Sequence, residues 1–149
     1  MAGQGSGAVV EVAVRGTALV QVAAVLSRPH GIMNRIGSHL VASTLRRFER
    51  ERAPDGSPWL RSARAIAEGN RTLTDTGRLR RSIAHVVGDG GHTVEVGSNV
   101  VYAAIHQLGG RAGRGRRAQI PARPYLGIDE RDRDAIVRIV TRALEGAGA

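Results

Sequence analysis

The side chains that could do chemistry in this sequence are five histidines, thirteen acids and a run of arginines set among glycines. His30, His39, His85, His92 and His106 form no HExxH pair and no cysteine joins them, so the ligand spacing of a zinc site is missing. No serine lies in a GxSxG elbow, and no glycine run matches a Walker loop or a dinucleotide fingerprint. The acids are scattered, without a pair spaced for two-carboxylate work. His106 draws the most attention because it follows Tyr102 by one helical turn. Its expected part is a hydrogen-bonded core or interface residue rather than a catalyst. The remaining pattern is electrostatic. Arg111, Arg114, Arg116 and Arg117 have no acid near them between Glu95 and Asp129, so they suit an anionic partner, either DNA or an acidic protein face. No enzyme activity, metal or cofactor is expected.

The elements that must position these residues run from Val94 to Gly127. Val94 and Val96 alternate with Thr93 and Glu95, which predicts a strand with one dry face. Ser98 or Asn99 can then cap a helix in which Val101, Ile105 and Leu108 share a side, and Gly109-Gly110 end it. After the arginine loop, Pro121 and Pro124 fix their own φ and push their neighbours towards extended geometry. This stretch is expected as an edge strand or docking strip.

Tyr102-Ala103, Ile105-His106-Gln107 and Gly109-Gly110, followed by Ile120-Pro121-Ala122-Arg123-Pro124-Tyr125-Leu126-Gly127, resemble the signature of the phage virion morphogenesis family, the tail completion proteins of Mu-like and related tailed phages. Phe48 with Pro54-Asp55-Gly56-Ser57-Pro58-Trp59 resembles the family's segment after its long helix. Leu73-Thr74-Asp75-Thr76-Gly77-Arg78-Leu79 with Ser82-Ile83 resembles its next one. The four pieces occur in the family's order and cover nearly the whole chain. The Arg/Gly content of residues 111–117 departs from the pattern, so no role carries over to that loop.

The resemblance implies a structural virion protein that completes the tail end or neck and allows joining to the DNA-filled head. Its implied partners are further copies of itself in a ring, neighbouring neck and tail proteins, and genomic DNA in the channel, touched non-specifically. It would reside in the virion and assemble in the host cytoplasm. The expected subunit or partner contacts are Tyr102, His106, Gln107, Pro121, Arg123, Pro124 and Tyr125. Trp59 is either a loop anchor or an interface hot spot. The alternative reading is a basic nucleic-acid-binding module with Arg111, Arg114, Arg116 and Arg117 as its contact loop. The shortage of aromatic stacking platforms weighs against single-strand recognition.

Composition fits that range of partners. A formal charge of +9, a pI near 11.6 and basic residues that are all arginine give a surface attractive to polyanions or acidic faces. Arginine use alone reflects a GC-rich coding sequence rather than function. At 149 residues the chain suits one domain with a real core, and 3% aromatics predict that the core is aliphatic. No apolar run approaches the roughly 20 residues that span a bilayer, so no membrane partner or targeting segment is expected. The lack of cysteine fits a reducing compartment.

In chain order, residues 1–7 are expected to be disordered, and Val10, Val12 and Val14 predict a strand. A short helix follows from Thr17 to Leu26, then a long one from His30 to Arg52 with Ile32, Met33, Ile36, Leu40, Val41, Leu45 and Phe48 inward. Gly37 inside it calls for a close neighbouring backbone. Residues 60–74 and 109–119 are expected as mobile segments. Asp75 or Thr76 caps a brief helix carrying Leu79 and Ile83, and residues 84–97 form a hairpin around Gly88-Asp89-Gly90-Gly91. Asp129 caps a last helix with Ile136, Ile139, Val140 and Ala143 inward, and residues 146–149 fray. The sum is a single α+β domain over 8–145, with a small, mainly antiparallel sheet packed against a long helix and a C-terminal helix.

Overall fold

Met33, Ile36, Leu40 and Phe48 recur at helical spacing and line the buried face of α1, which runs Pro29–Arg50. Burying a side chain of Phe48's size contributes about 2–3 kcal/mol. The computed structural model describes residues 8–13 and 27–147, and within them α1 is the element on which the sheet and the last helix pack. The expected disorder of residues 1–7, the helix expected from Thr17 to Leu26, and residues 148–149 lie outside the described part. α1 stops short of the expected Arg52 because Glu51 takes the left-handed conformation, φ 53°. The Glu51 carbonyl accepts from the Trp59 N–H at 2.8 Å and its carboxylate accepts from the Thr72 N–H at 2.6 Å, which holds that conformation.

Three strands, β1 (Ala8–Ala13), β2 (Ala84–Gly88) and β3 (Thr93–Ser98), form an antiparallel sheet in the order β1-β3-β2. β2 and β3 make the expected hairpin, closed by a 3-10 turn at Asp89–Gly91. Pleating sends Val94 and Val96 into the core and leaves Glu95 outside. The sheet packs on α1 at Gly37, where a Cβ would run into the His85 ring and lie 2.8 Å from Val94 Cγ2. The close approach is thus to side chains of the sheet, not to another backbone.

Beyond the hairpin, several segments depart from their local pattern. The stretch 60–74, expected as an exposed connection, contains α2 (Ala63–Glu68), whose first turn is capped by Ser62 Oγ accepting from the Ala65 N–H at 3.1 Å. Ala65 and Thr72 are fully buried there. α3 (Arg78–Arg81) starts from Gly77 at φ 75°, and of the two expected caps Thr76 serves, its Oγ1 accepting from the Arg78 N–H at 3.3 Å. α4 (Ala103–Leu108) begins later than expected because Ser98 Oγ accepts from the Val100 N–H and closes a turn there. Val101 and Leu108 are consequently each 75% exposed, and small Ala103 is the residue α4 buries.

The arginine loop is a β-hairpin: β4 (Gly110–Ala112) pairs with β5 (Ala118–Ile120) around a 3-10 turn at Arg114–Arg116. Residues 121–127 leave β5 and cross the domain as irregular backbone with Arg123, Tyr125 and Leu126 buried. The chain closes with α5 (Glu130–Ala147), which packs on α1 and includes Gly146 and Ala147, two residues expected to fray. The core is not purely aliphatic, since Phe48 meets Trp59 edge-on at 5.6 Å and Tyr125 at 5.2 Å. The few aromatics are concentrated where residues 121–127 cross α1.

Candidate functional site

A buried segment without regular structure needs a partner for each backbone group. In residues 121–127 most of the partners come from side chains. Trp59 Nε1 donates to the Pro124 carbonyl at 2.8 Å, and Arg47 Nη1 donates to the carbonyls of Tyr125 (3.1 Å) and Gly127 (3.0 Å). Gln107 acts like a short strand: its Oε1 accepts from the N–H groups of Tyr125 and Leu126, and its Nε2 donates to the Leu126 carbonyl. The Arg123 N–H reaches the His106 carbonyl at 2.7 Å, and Pro121 and Pro124 have no N–H to satisfy. Tyr125 Oη donates to the Ala103 carbonyl at 2.6 Å, and burial raises its pKa so that it stays a donor.

Most of the expected contact residues are thus taken up by the fold. Trp59 and Tyr125 are buried inside the chain, so their side chains offer little or no surface to a partner, and Arg123, also nearly buried, is reached only from a groove. Gln107 is committed to the 121–127 backbone, and Pro121 and Pro124 are half-buried. The strip expected to dock neighbours is instead an internal strap. Tyr102, 38% exposed, His106 beside it and the recessed Arg123 are the expected residues that line a concave surface.

That surface is a groove of about 540 Å³ where four separated pieces of sequence meet: the start of α2 with Ser62 and Arg64, residues 73–79, the start of α4, and Arg123. Leu79, buried under α3, and Leu73 form its apolar wall. Tyr102 stands edge-on to His106 at 5.9 Å. Burial, followed by the nearby Arg123 charge, lowers the His106 pKa, and its buried Nδ1 has no partner among the described residues. Arg123 is only 6% exposed, and its Nε donates to the Leu60 carbonyl at 2.6 Å. Burial lowers its pKa too, and no carboxylate among the described residues pairs with it. The groove therefore holds a recessed cation and a neutral imidazole. No nucleophile paired with a base lies there, and among the described residues no group of His, Asp and Glu could hold a metal.

A second polar centre lies between α1 and α5. Arg47 Nη2 meets Asp132 Oδ2 at 2.6 Å and Asp129 Oδ2 at 3.3 Å, and His39 Nε2 lies 2.9 Å from Asp132 Oδ1. Burial pushes the Asp132 pKa up, but hydrogen bonds from Ser43 and the Asp129 backbone, the Arg47 charge and His39 outweigh it and hold the carboxyl low. Asp129 caps α5 as expected by accepting from the Asp132 N–H, and Asp132 accepts in turn from the Asp129 N–H. A sequence signal for this centre exists: His39, Ser43 and Arg47 follow one another at four-residue spacing on the helix face that also carries the apolar stripe.

The four arginines of the β4-β5 hairpin are all exposed and make no ion pair among the described residues. They form a cationic projection separate from the groove.

Residues 11–145 match the profile of the phage virion morphogenesis family. The "Putative capsid assembly protein G" of Escherichia phage Mu is 32% identical over 133 residues, covering 82% of this chain and 83% of that protein. The "Mu-like prophage FluMu G protein 2" of Haemophilus influenzae is 48% identical over 60 residues, which span 40% of this chain and 42% of that protein. No solved structure matches.

Proposed function

The chain belongs to the phage virion morphogenesis family, and we propose that it completes the tail end or neck of a tailed phage and enables head-to-tail joining without catalysing a reaction. The observation that carries this reading is the family match across residues 11–145, which contains all four sequence pieces. Three side chains in those pieces serve the fold: Trp59, Gln107 and Tyr125 hold the 121–127 strap in place. An architecture that invests its most distinctive residues in a rigid strap suits a structural part.

Joining a symmetric tail to a head favours a ring of identical subunits. In support, Val101 and Leu108, just before and at the end of α4, are each 75% exposed, and Tyr102 is exposed too, apolar side chains that a second copy would cover. The arginine hairpin supports a further contact, either with genomic phosphates in the channel or with an acidic face of a neck or tail neighbour. In a ring the hairpin could line the lumen without reading sequence.

Phage particles lacking the protein test the reading. Filled heads and tails are expected to accumulate unjoined and non-infectious, because a completion factor acts after both parts exist. Normal yield and infectivity would overturn it.

A further inference from the structure

The groove between α3 and α4 contains a charge that the fold leaves unanswered. Arg123 is almost wholly buried, which ordinarily requires a paired acid or full hydrogen bonding. Its Nε is satisfied by Leu60, yet among the described residues neither Nη nitrogen meets an acceptor. The acid lining the same groove, Asp75, is 70% exposed and lies 3.8 Å from Arg64, not against Arg123. Arg78 at the rim is exposed and makes no ion pair among the described residues. His106, neutral and with Nδ1 unpartnered, lies beside it.

We propose that this groove binds the carboxylate of an acidic peptide segment from an assembly partner, with Arg123 as its recessed anchor. A guanidinium presents two parallel donors that match a carboxylate, and a low-dielectric wall of Leu73 and Leu79 strengthens that pairing. Apolar residues flanking the acid would lie against Leu73 and Tyr102. The recess favours a peptide over nucleic acid, because a duplex backbone cannot bring its phosphate down to a cation that is 6% exposed, whereas a flexible side chain can. The binding chemistry stands on the groove alone. It rests on the assembly reading only in naming the partner as another virion protein.

The test is NMR titration of the intact protein with a capped pentapeptide holding one central glutamate between leucines, its glutamine counterpart, and a short DNA duplex. The glutamate peptide is expected to shift the Arg123 side-chain and His106 ring signals and to bind about tenfold more tightly than the glutamine peptide. Arg123→Gln should remove that preference, while replacing the four hairpin arginines by serine should leave it. If Arg123→Gln does not fold, Arg78→Ser and Tyr102→Ala at the exposed rim decide, and each should weaken the peptide severalfold. Equal binding of both peptides, shifts confined to the β4-β5 hairpin, a duplex that displaces the peptide from Arg123, or rim variants without effect would overturn the proposal. None of these outcomes depends on phage yield, so failure here is distinguishable from failure of the tail-completion reading.

Discussion

The guanidinium of Arg47 and the carboxylate of Asp132 meet at 2.6 Å inside the protein, 85 residues apart in sequence, and tie the two longest helices together. The same arginine holds the carbonyls of Tyr125 and Gly127, so one side chain joins α1, the strap and α5.

Removing Asp132 takes away the shortest ion pair of a buried Arg47 and leaves Asp129 at 3.3 Å and two carbonyls to answer its charge. Asp132→Ala is expected to cost about 3–5 kcal/mol, and the double variant Arg47→Met/Asp132→Leu to recover part of it. Urea unfolding of the parent and both variants measures this. Equal stability of Asp132→Ala and the parent would contradict the assigned role. Because the native Asp132 pKa is depressed, its contribution is present above the unfolded carboxyl value and lost as pH falls through the native one.

Tyr125 should behave as a core residue. Tyr125→Phe removes the hydroxyl's hydrogen bond to the Ala103 carbonyl and is expected to cost about 1 kcal/mol, and Tyr125→Ala about 3–5 kcal/mol by opening a cavity against Phe48. Thermal melts check both. A Tyr125→Ala protein that melts like the parent but fails to assemble would restore the docking role first expected of it.

His106 should make the domain sensitive to mild acid. Its native pKa lies below the unfolded value of 6.5, so the unfolded chain binds more protons in the window just below 6.5. The neutral imidazole's contribution is full above that window and lost as pH falls through the native pKa. Between about pH 7 and 5, His106→Gln is expected to flatten the stability profile relative to the parent. An unchanged slope would show that its titration is not linked to folding.

The arginine hairpin gives a salt-dependent signature. Replacing Arg111, Arg114, Arg116 and Arg117 by serine should leave stability within about 0.5 kcal/mol, because all four are exposed. If the hairpin binds DNA, each arginine that neutralises a phosphate adds roughly 0.9 to the slope of log affinity against log salt, and the serine variant should show a correspondingly shallower one. Head-to-tail joining that fails while DNA affinity stays unchanged would point to an acidic protein neighbour. No change in either would leave the hairpin without a partner.

Elements whose pattern is local and long are already specified along the chain. The α1 stripe from Met33 to Phe48, the Val94/Val96 alternation, the turn at Asp89–Gly91 and the Asp129 cap are set by periodicity and backbone preference, which neighbouring residues already contain. The family was legible for a related reason, since its four pieces are contiguous words. What those words do depends on packing between distant residues. The pattern of two prolines reads as an exposed docking strip, but whether an extended segment is outside or inside depends on which groups satisfy its carbonyls. Here Trp59, Arg47 and Gln107 do so from 19 to 80 residues away. The short α4 stripe turned outwards because six residues are too few for periodicity to outweigh the packing of Ala103. The groove and its uncompensated Arg123 exist only where the start of α2, residues 73–79, α4 and the strap converge, a proximity that no spacing along the chain encodes.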